Sequence, residues 1–272
     1  MPTNLFFSHA TDLPQALGLK PSDVVSLVGG GGKTSIMFRL ARELAAAGNH
    51  VISTTTTRII PPTPEESECI IAEEDATDLA VRAKAALQHY HHITIARSNP
   101  DTYKLVGLLP ETVDYLHHLG LADYVINEAD GAACQPLKAP NSTEPVIPLS
   151  TSLVVAVVGI EAIGQPLLPN TAFRIEYISR LTKLNQGELI TTEAVSLLLT
   201  HPQGIIQYAP KGRIVPFINK VGESQVTQAK TLAGDILGRR HPQIEMVVFG
   251  EVRRPDFPLT VVSLKQSDRL QD

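Results

Sequence analysis

Along most of the chain, short runs of β-branched and aliphatic residues alternate with stretches in which apolar positions recur at helical spacing. That alternation predicts an α/β fold, a mostly parallel sheet with helices on both faces. The first strand falls at residues 24–28. The next apolar set, Ile36, Met37, Leu40, Ala41 and Leu44, shares one face of a helix that begins at Lys33 and runs to residue 47, with Gly48 as its natural stop. Further strands are expected at residues 51–53, 69–72 and 92–96, and an alanine-rich helix at 79–87. Pro110 is well placed to start a helix over 111–119, which Gly120 ends ahead of a strand at 124–127. The second half keeps the rhythm, with strands at 153–158, 214–218 and 246–249 and a helix at 225–237.

Two stretches interrupt the pattern: Pro61, Pro62 and Pro64, and the long segment 129–150 with Pro136, Pro140, Pro145 and Pro148. Connections of that length usually carry function or disorder. No repeat and no clear linker appears, so residues 1–272 read as one domain, with a subdivision near residue 160 as the weaker option. Residues 266–272 read as a solvated tail.

Composition changes this picture little. At 43% hydrophobic and 19% charged residues the chain has an ordinary supply of core. A formal net charge of −5 gives no broad basic field, which argues against nucleic acid or an anionic membrane as main partner. The start of the chain lacks the charged and apolar regions of a leader, and the longest apolar run falls short of a membrane span, so a cytoplasmic location is expected. Cys69 and Cys134 cannot form a disulfide framework and sit in no Cys-x-x-Cys pair; a soft buried thiol is expected for each.

The first candidate for chemistry lies between the first strand and the first long helix. There Gly29, Gly30, Gly31 and Gly32 precede Lys33 and Thr34. Glycines let a backbone turn sharply and present N–H groups inward, and a helix N-terminus adds positive potential. A lysine there can reach the β and γ phosphates, and a threonine hydroxyl can bind Mg²⁺. The expectation is a P-loop NTPase-like site for ATP or GTP with Mg²⁺. Leu27 stands where the usual pattern has its first glycine, so the loop should be shorter or differently bent. A dinucleotide site fits less well, because the third glycine of its pattern falls at Thr34 and no acid ends the second strand; an NADP reading would use Arg58.

At residues 124–131 an apolar strand ends in two carboxylates, Glu128 and Asp130, at the sheet end where ligands bind in open α/β folds. Either could hold Mg²⁺ directly or through water. Thr54, Thr55, Thr56 and Thr57, followed by Arg58, offer hydroxyls and a cation to a phosphate, although β-propensity alone also explains the threonines. Lys138 could contact a phosphate or a second substrate's carboxylate, with a surface lysine as the commoner reading. Asn219 and Lys220 resemble the N-K-x-D element that reads guanine, but Gly222 occupies the acid's position and Glu223 follows it, so the base stays open. His89, His91 and His92 lack a matching ligand partner and read as a solvated helix end.

Taken together, the glycine loop, residues 53–58, the Glu-Ala-Asp-Gly of 128–131 with Pro136-Leu137-Lys138-Ala139-Pro140, the Glu-Pro-Val-Ile-Pro of 144–148, Val158-Gly159-Ile160 and Asn219-Lys220 resemble the YqeC family. These are accessory proteins of selenium-dependent molybdenum hydroxylases. The resemblance runs from about residue 13 to 262 and implies a P-loop fold and a role in maturing such an enzyme, with a molybdenum cofactor species or the hydroxylase itself as partner. Two functions are compatible with it. One is a Mg²⁺-dependent NTPase or small-molecule kinase, in which Lys33, Glu128 and Asp130 carry the chemistry and Arg58 or Lys138 orients the acceptor. The other is a nucleotide-gated binding protein that catalyses no transfer.

Overall fold

A computed structural model describes residues 5–97, 103–254 and 256–265. In chain order the first half contains β1 (Leu5–Ala10), α1 (Leu13–Ala16), β2 (Val24–Gly29), α2 (Lys33–Ala46), β3 (Val51–Thr55), β4 (Arg58–Ile59) and β5 (Ile70–Ala72). It continues with α3 (Ala76–Ala86), β6 (His92–Ala96), β7 (Leu105–Val106), α4 (Pro110–His118), β8 (Tyr124–Glu128) and β9 (Leu137–Lys138). The second half contains β10 (Leu153–Gly159), β11 (Ala172–Phe173), α5 (Ile175–Thr182), α6 (Thr192–Thr200), β12 (Arg213–Asn219), α7 (Val226–Gly238), β13 (Met246–Phe249) and β14 (Leu259–Leu264).

Ten strands form one sheet in the order β1-β14-β13-β12-β10-β2-β8-β3-β6-β5. All neighbours are parallel except the pairs that β14 makes with β1 and β13. A parallel sheet has to be covered on both faces, and side chains alternate between them. On β10, Val154, Ala156 and Val158 join the core under α6 and α7, while Leu153, Val155 and Val157 join the core under α1 and α2. A third cluster packs α3 and α4 against Ile52, Ile93, Ile95 and Val125. The residues expected to line one face of α2, Ile36, Met37, Leu40, Ala41 and Leu44, are all buried.

The connection through α2 carries the chain from β2 past β8 to β3, whereas later connections return and continue to the opposite side. The strand order therefore reverses beside β2, and ligands of open α/β sheets bind in the crevice beyond the carboxyl ends of the strands at such a point. Glycine loop, Glu128 and Asn219 end β2, β8 and β12 there. Two small sheets shape the surroundings: β9 runs parallel to β11, and β4 antiparallel to β7. No helix among the described residues is long and apolar enough to cross a membrane. The tail at 266–272 lies outside the described residues.

Candidate functional site

The loop between β2 and α2 contains only Gly30, Gly31 and Gly32, the short form that Leu27 led one to expect, since Leu27 is part of the strand. Its tightest point is Gly31. With φ +79°, it lies so close to β10 that a Cβ would sit 2.2 Å from the Gly159 nitrogen, a contact no side chain survives. Gly32 adopts φ +116°, and a Cβ there would sit 2.6 Å from the Asn219 amide nitrogen.

The loop amides divide into two groups. Gly29 N–H donates to both Asp130 oxygens at 3.1 Å, Gly30 N–H to the Val157 carbonyl at 2.9 Å and Gly31 N–H to the Gln135 carbonyl at 3.0 Å. Among the described residues, the amides of Gly32, Lys33, Thr34 and Ser35 donate to no internal acceptor. Four free donors at the positive end of a helix of 14 residues form an anion-binding surface.

Beside them lies a buried charge cluster. Lys33 Nζ donates to the Gly29 carbonyl at 2.7 Å and sits 3.2 Å from Asp130 Oδ1 and 3.6 Å from Glu128 Oε1. The Thr34 hydroxyl donates to Glu128 Oε2 at 2.7 Å. Burial by itself pulls the Lys33 ammonium down, but Asp130 and Glu128 outweigh it and hold the lysine above its ordinary value. Burial pushes Glu128 above the usual carboxylate range, against the opposing pull of Lys33 and the Thr34 hydroxyl. Glu128 is thus a carboxylate with a strong demand for a positive partner.

From Asp130 the cluster runs on to Lys138, whose Nζ lies 2.9 Å from Asp130 Oδ2, 2.7 Å from the Gly131 carbonyl and 2.8 Å from Glu144 Oε2. Arg174 reaches the same Glu144 oxygen at 2.7 Å. Burial raises Glu144, but the hydrogen bonds from Arg174 and Lys138 outweigh it and hold the carboxyl below the usual range. Lys138 is not the surface lysine that residue frequencies favour: it is wholly buried, which is tolerable only because each of its contacts is an oxygen and two are carboxylates.

The remaining candidates scatter. Thr55 and Thr56 spend their hydroxyls on the carbonyls of Glu128 and Val146, and Arg58 lies exposed on β4, which pairs with β7. Asn219 is buried and ties two loops together, donating to the Gly31 carbonyl at 2.8 Å and accepting from the Val252 amide at 3.1 Å. Lys220, with φ +62°, pairs with Glu161 just past the end of β10.

The histidines do not form the expected solvated helix end as a group. His92 opens β6, half-buried, with its ring nitrogen 2.8 Å from the Ser53 hydroxyl, and desolvation lowers its pKa to about 4. His89 and His91 are exposed. Cys134 is exposed and Cys69 only partly buried, which corrects the expectation of two buried thiols; the turn carrying Ala133 and Cys134, both at positive φ, faces solvent.

Glu144, Arg174, Gln135 and Glu161 have no assigned part in the sequence reading. Glu144 at least carried a signal, since a lysine and an acid in adjacent proline-punctuated stretches can pair once the loop folds back. Arg174 and the Gln135 carbonyl carried none, because their places depend on the β9–β11 pairing.

Comparison with known proteins agrees with this picture at the level of family. The family model described as YqeC protein matches residues 25–176. A protein of Escherichia coli K12 described as "Uncharacterized protein YqeC" is 33% identical over 216 residues, which cover 78% of this chain and 82% of that one. Among solved structures, the signal recognition particle receptor FtsY from Elizabethkingia anophelis is 14% identical, with a TM-score of 0.32 over 87% of this chain and 61% of that one. A likeness that distant carries no argument. The matched span holds the glycine loop, Glu128, Asp130, Lys138, Glu144 and Arg174, and on the family model and the Escherichia coli relative together the chain belongs to the YqeC family.

Proposed function

We propose that this protein binds a nucleoside triphosphate, ATP or GTP, at the glycine loop and uses it as a Mg²⁺-dependent NTPase or small-molecule kinase. The observation that carries the reading is the set of four free amides from Gly32 to Ser35, with the Lys33 ammonium beside them. Amides and ammonium bind the phosphates and stabilise the charge that grows on them as a bond to phosphorus breaks.

The residues present also fit Mg²⁺. Thr34 and Glu128 bring a hydroxyl and a carboxylate into contact, hard oxygen donors of the kind Mg²⁺ takes alongside phosphate oxygens and water. Among the described residues no three His, Cys, Asp or Glu side chains are placed to hold a metal by themselves, so such an ion would arrive with the nucleotide. Bound there, it would neutralise phosphate charge. Asn219 keeps the loop in shape for the ligand; to serve a base or acceptor, Lys220 would first have to leave Glu161, and Arg58 would act from exposed β4.

A second reading, nucleotide-gated binding without transfer, is favoured by one feature. Both oxygens of Asp130 are engaged by Gly29, Lys33 and Lys138, which leaves Glu128 alone to serve metal, water or acceptor. In either reading the family resemblance suggests the setting, maturation of a selenium-dependent molybdenum hydroxylase, with a molybdenum cofactor species or that enzyme as partner.

Purified protein with Mg²⁺ and ATP or GTP tests the first reading: phosphate is released or transferred, and Lys33→Ala abolishes it. Turnover unchanged in Lys33→Ala would sink the site assignment. Binding without turnover, with nucleotide-dependent capture of the hydroxylase or a molybdopterin species, selects the second.

A further inference from the structure

Asp130 is held by two lysines at once, Lys33 on Oδ1 and Lys138 on Oδ2. One cation suffices to neutralise one carboxylate. The two lysines also differ in what they are free to do. Lys33 begins the helix that bears the free amides, and to engage a phosphate it has to give up the Gly29 carbonyl and Asp130. Lys138 is wholly buried and saturated by Asp130, Gly131 and Glu144, so it meets no ligand in this arrangement.

Stripping the last cation from a buried carboxylate is strongly unfavourable. If Lys33 were the sole partner of Asp130, each binding event would incur that penalty and affinity would fall accordingly. We propose that Lys138 is a positioning residue, the standing counter-ion of Asp130 that leaves Lys33 free to turn to the phosphates; this rests on the nucleoside-triphosphate reading of the site.

The surroundings of Lys138 suit that task. Register pairs Leu137 with Ala172 and Lys138 with Phe173, which fixes the lysine's backbone beside Arg174. Arg174 in turn shares Glu144 with Lys138. Lys33, Lys138 and Arg174 thus alternate with Glu128, Asp130 and Glu144 along one chain of contacts. When Lys33 leaves, two cations remain, Lys138 between Asp130 and Glu144 and Arg174 beyond Glu144, while Glu128 gives up its lysine and is left for the metal that would come with the nucleotide. A simple structural cross-link would behave differently, because Lys138 would then serve through Gly131 and Glu144 as well, and its loss would weaken binding whether or not Asp130 carries a charge.

Calorimetric titration of the full chain with ATP and with GTP, each with Mg²⁺, separates the two. In the otherwise native chain, Lys138→Met should weaken triphosphate binding by roughly tenfold. In an Asp130→Asn background the same substitution should change affinity by no more than about twofold, because no carboxylate then awaits a cation. No loss in the native background, or an equal or larger loss beside Asp130→Asn, overturns the proposal. Where Lys138→Met does not fold, Lys138→Gln, which keeps a donor for the Gly131 carbonyl, takes its place in the same cycle. A native chain that binds neither triphosphate fails the nucleotide reading itself, and the counter-ion role falls with it.

Discussion

Thr34 and Glu128 touch through a single hydrogen bond, and that contact is where magnesium dependence should reside. Thr34→Ala and Glu128→Gln are expected to erase the difference in nucleotide affinity with and without Mg²⁺ while leaving metal-free binding by the amides in place; titration at both conditions reads this. His92 makes a second prediction, in pH. Its pKa falls from 6.5 to about 4 on folding, so between those values the unfolded chain binds the proton that the folded chain refuses. Stability is therefore complete above pH 6.5 and declines as pH drops toward 4, by at most about 3 kcal/mol. His92→Gln should flatten the difference between denaturation midpoints at pH 7 and pH 4.5. At this scale much of the site was legible: Gly29 to Thr34, Glu128 and Asp130 announce themselves by type and spacing. Lys138 was legible as a candidate but not in its role, since no sequence pattern says that a lysine will be sealed beneath its own loop.

Elements tell the same story with a different cause. β6 and β13 fall where their β-branched runs place them, and α2 where its apolar period does. The pattern misses α1, α5, α6, β1, β14 and the two-residue strands. β1 lies at a sheet edge with several of its side chains exposed, so its alternation is weak, and β9 meets β11 where the loop from Asp130 folds back onto the glycine loop and the end of β10. The glycine loop shows what such packing demands. Gly31→Ala would drive a methyl into the Gly159 backbone and should lose both nucleotide binding and stability. Gly48, at φ +88° with nothing within 4 Å of its missing Cβ, pays only for the backbone conformation, about 1 kcal/mol as Gly48→Ala. Parallel urea melts of the two variants distinguish crowding from conformation; equal losses would contradict the close approach to β10.

Across the whole molecule, one sheet brings residues distant in sequence to a single crevice: β2, β8, β10 and β12 all end there, and Asn219 links the glycine loop to Val252 beyond β13. Deleting β1 should lower the denaturation midpoint yet leave triphosphate affinity close to native, since β1 lies at the sheet edge with four strands between it and β2. Loss of affinity in step with stability would show that the edge strand governs the site. The pairing of β1 with β14 has one more consequence. During synthesis β1 emerges long before the strand it needs, and among the described residues it has no other strand to pair with. Until β14 follows, the hydrogen-bonding edge of β1 stays unpaired and open to passing chains, so the nascent protein should lean on chaperones more than its folded form would suggest.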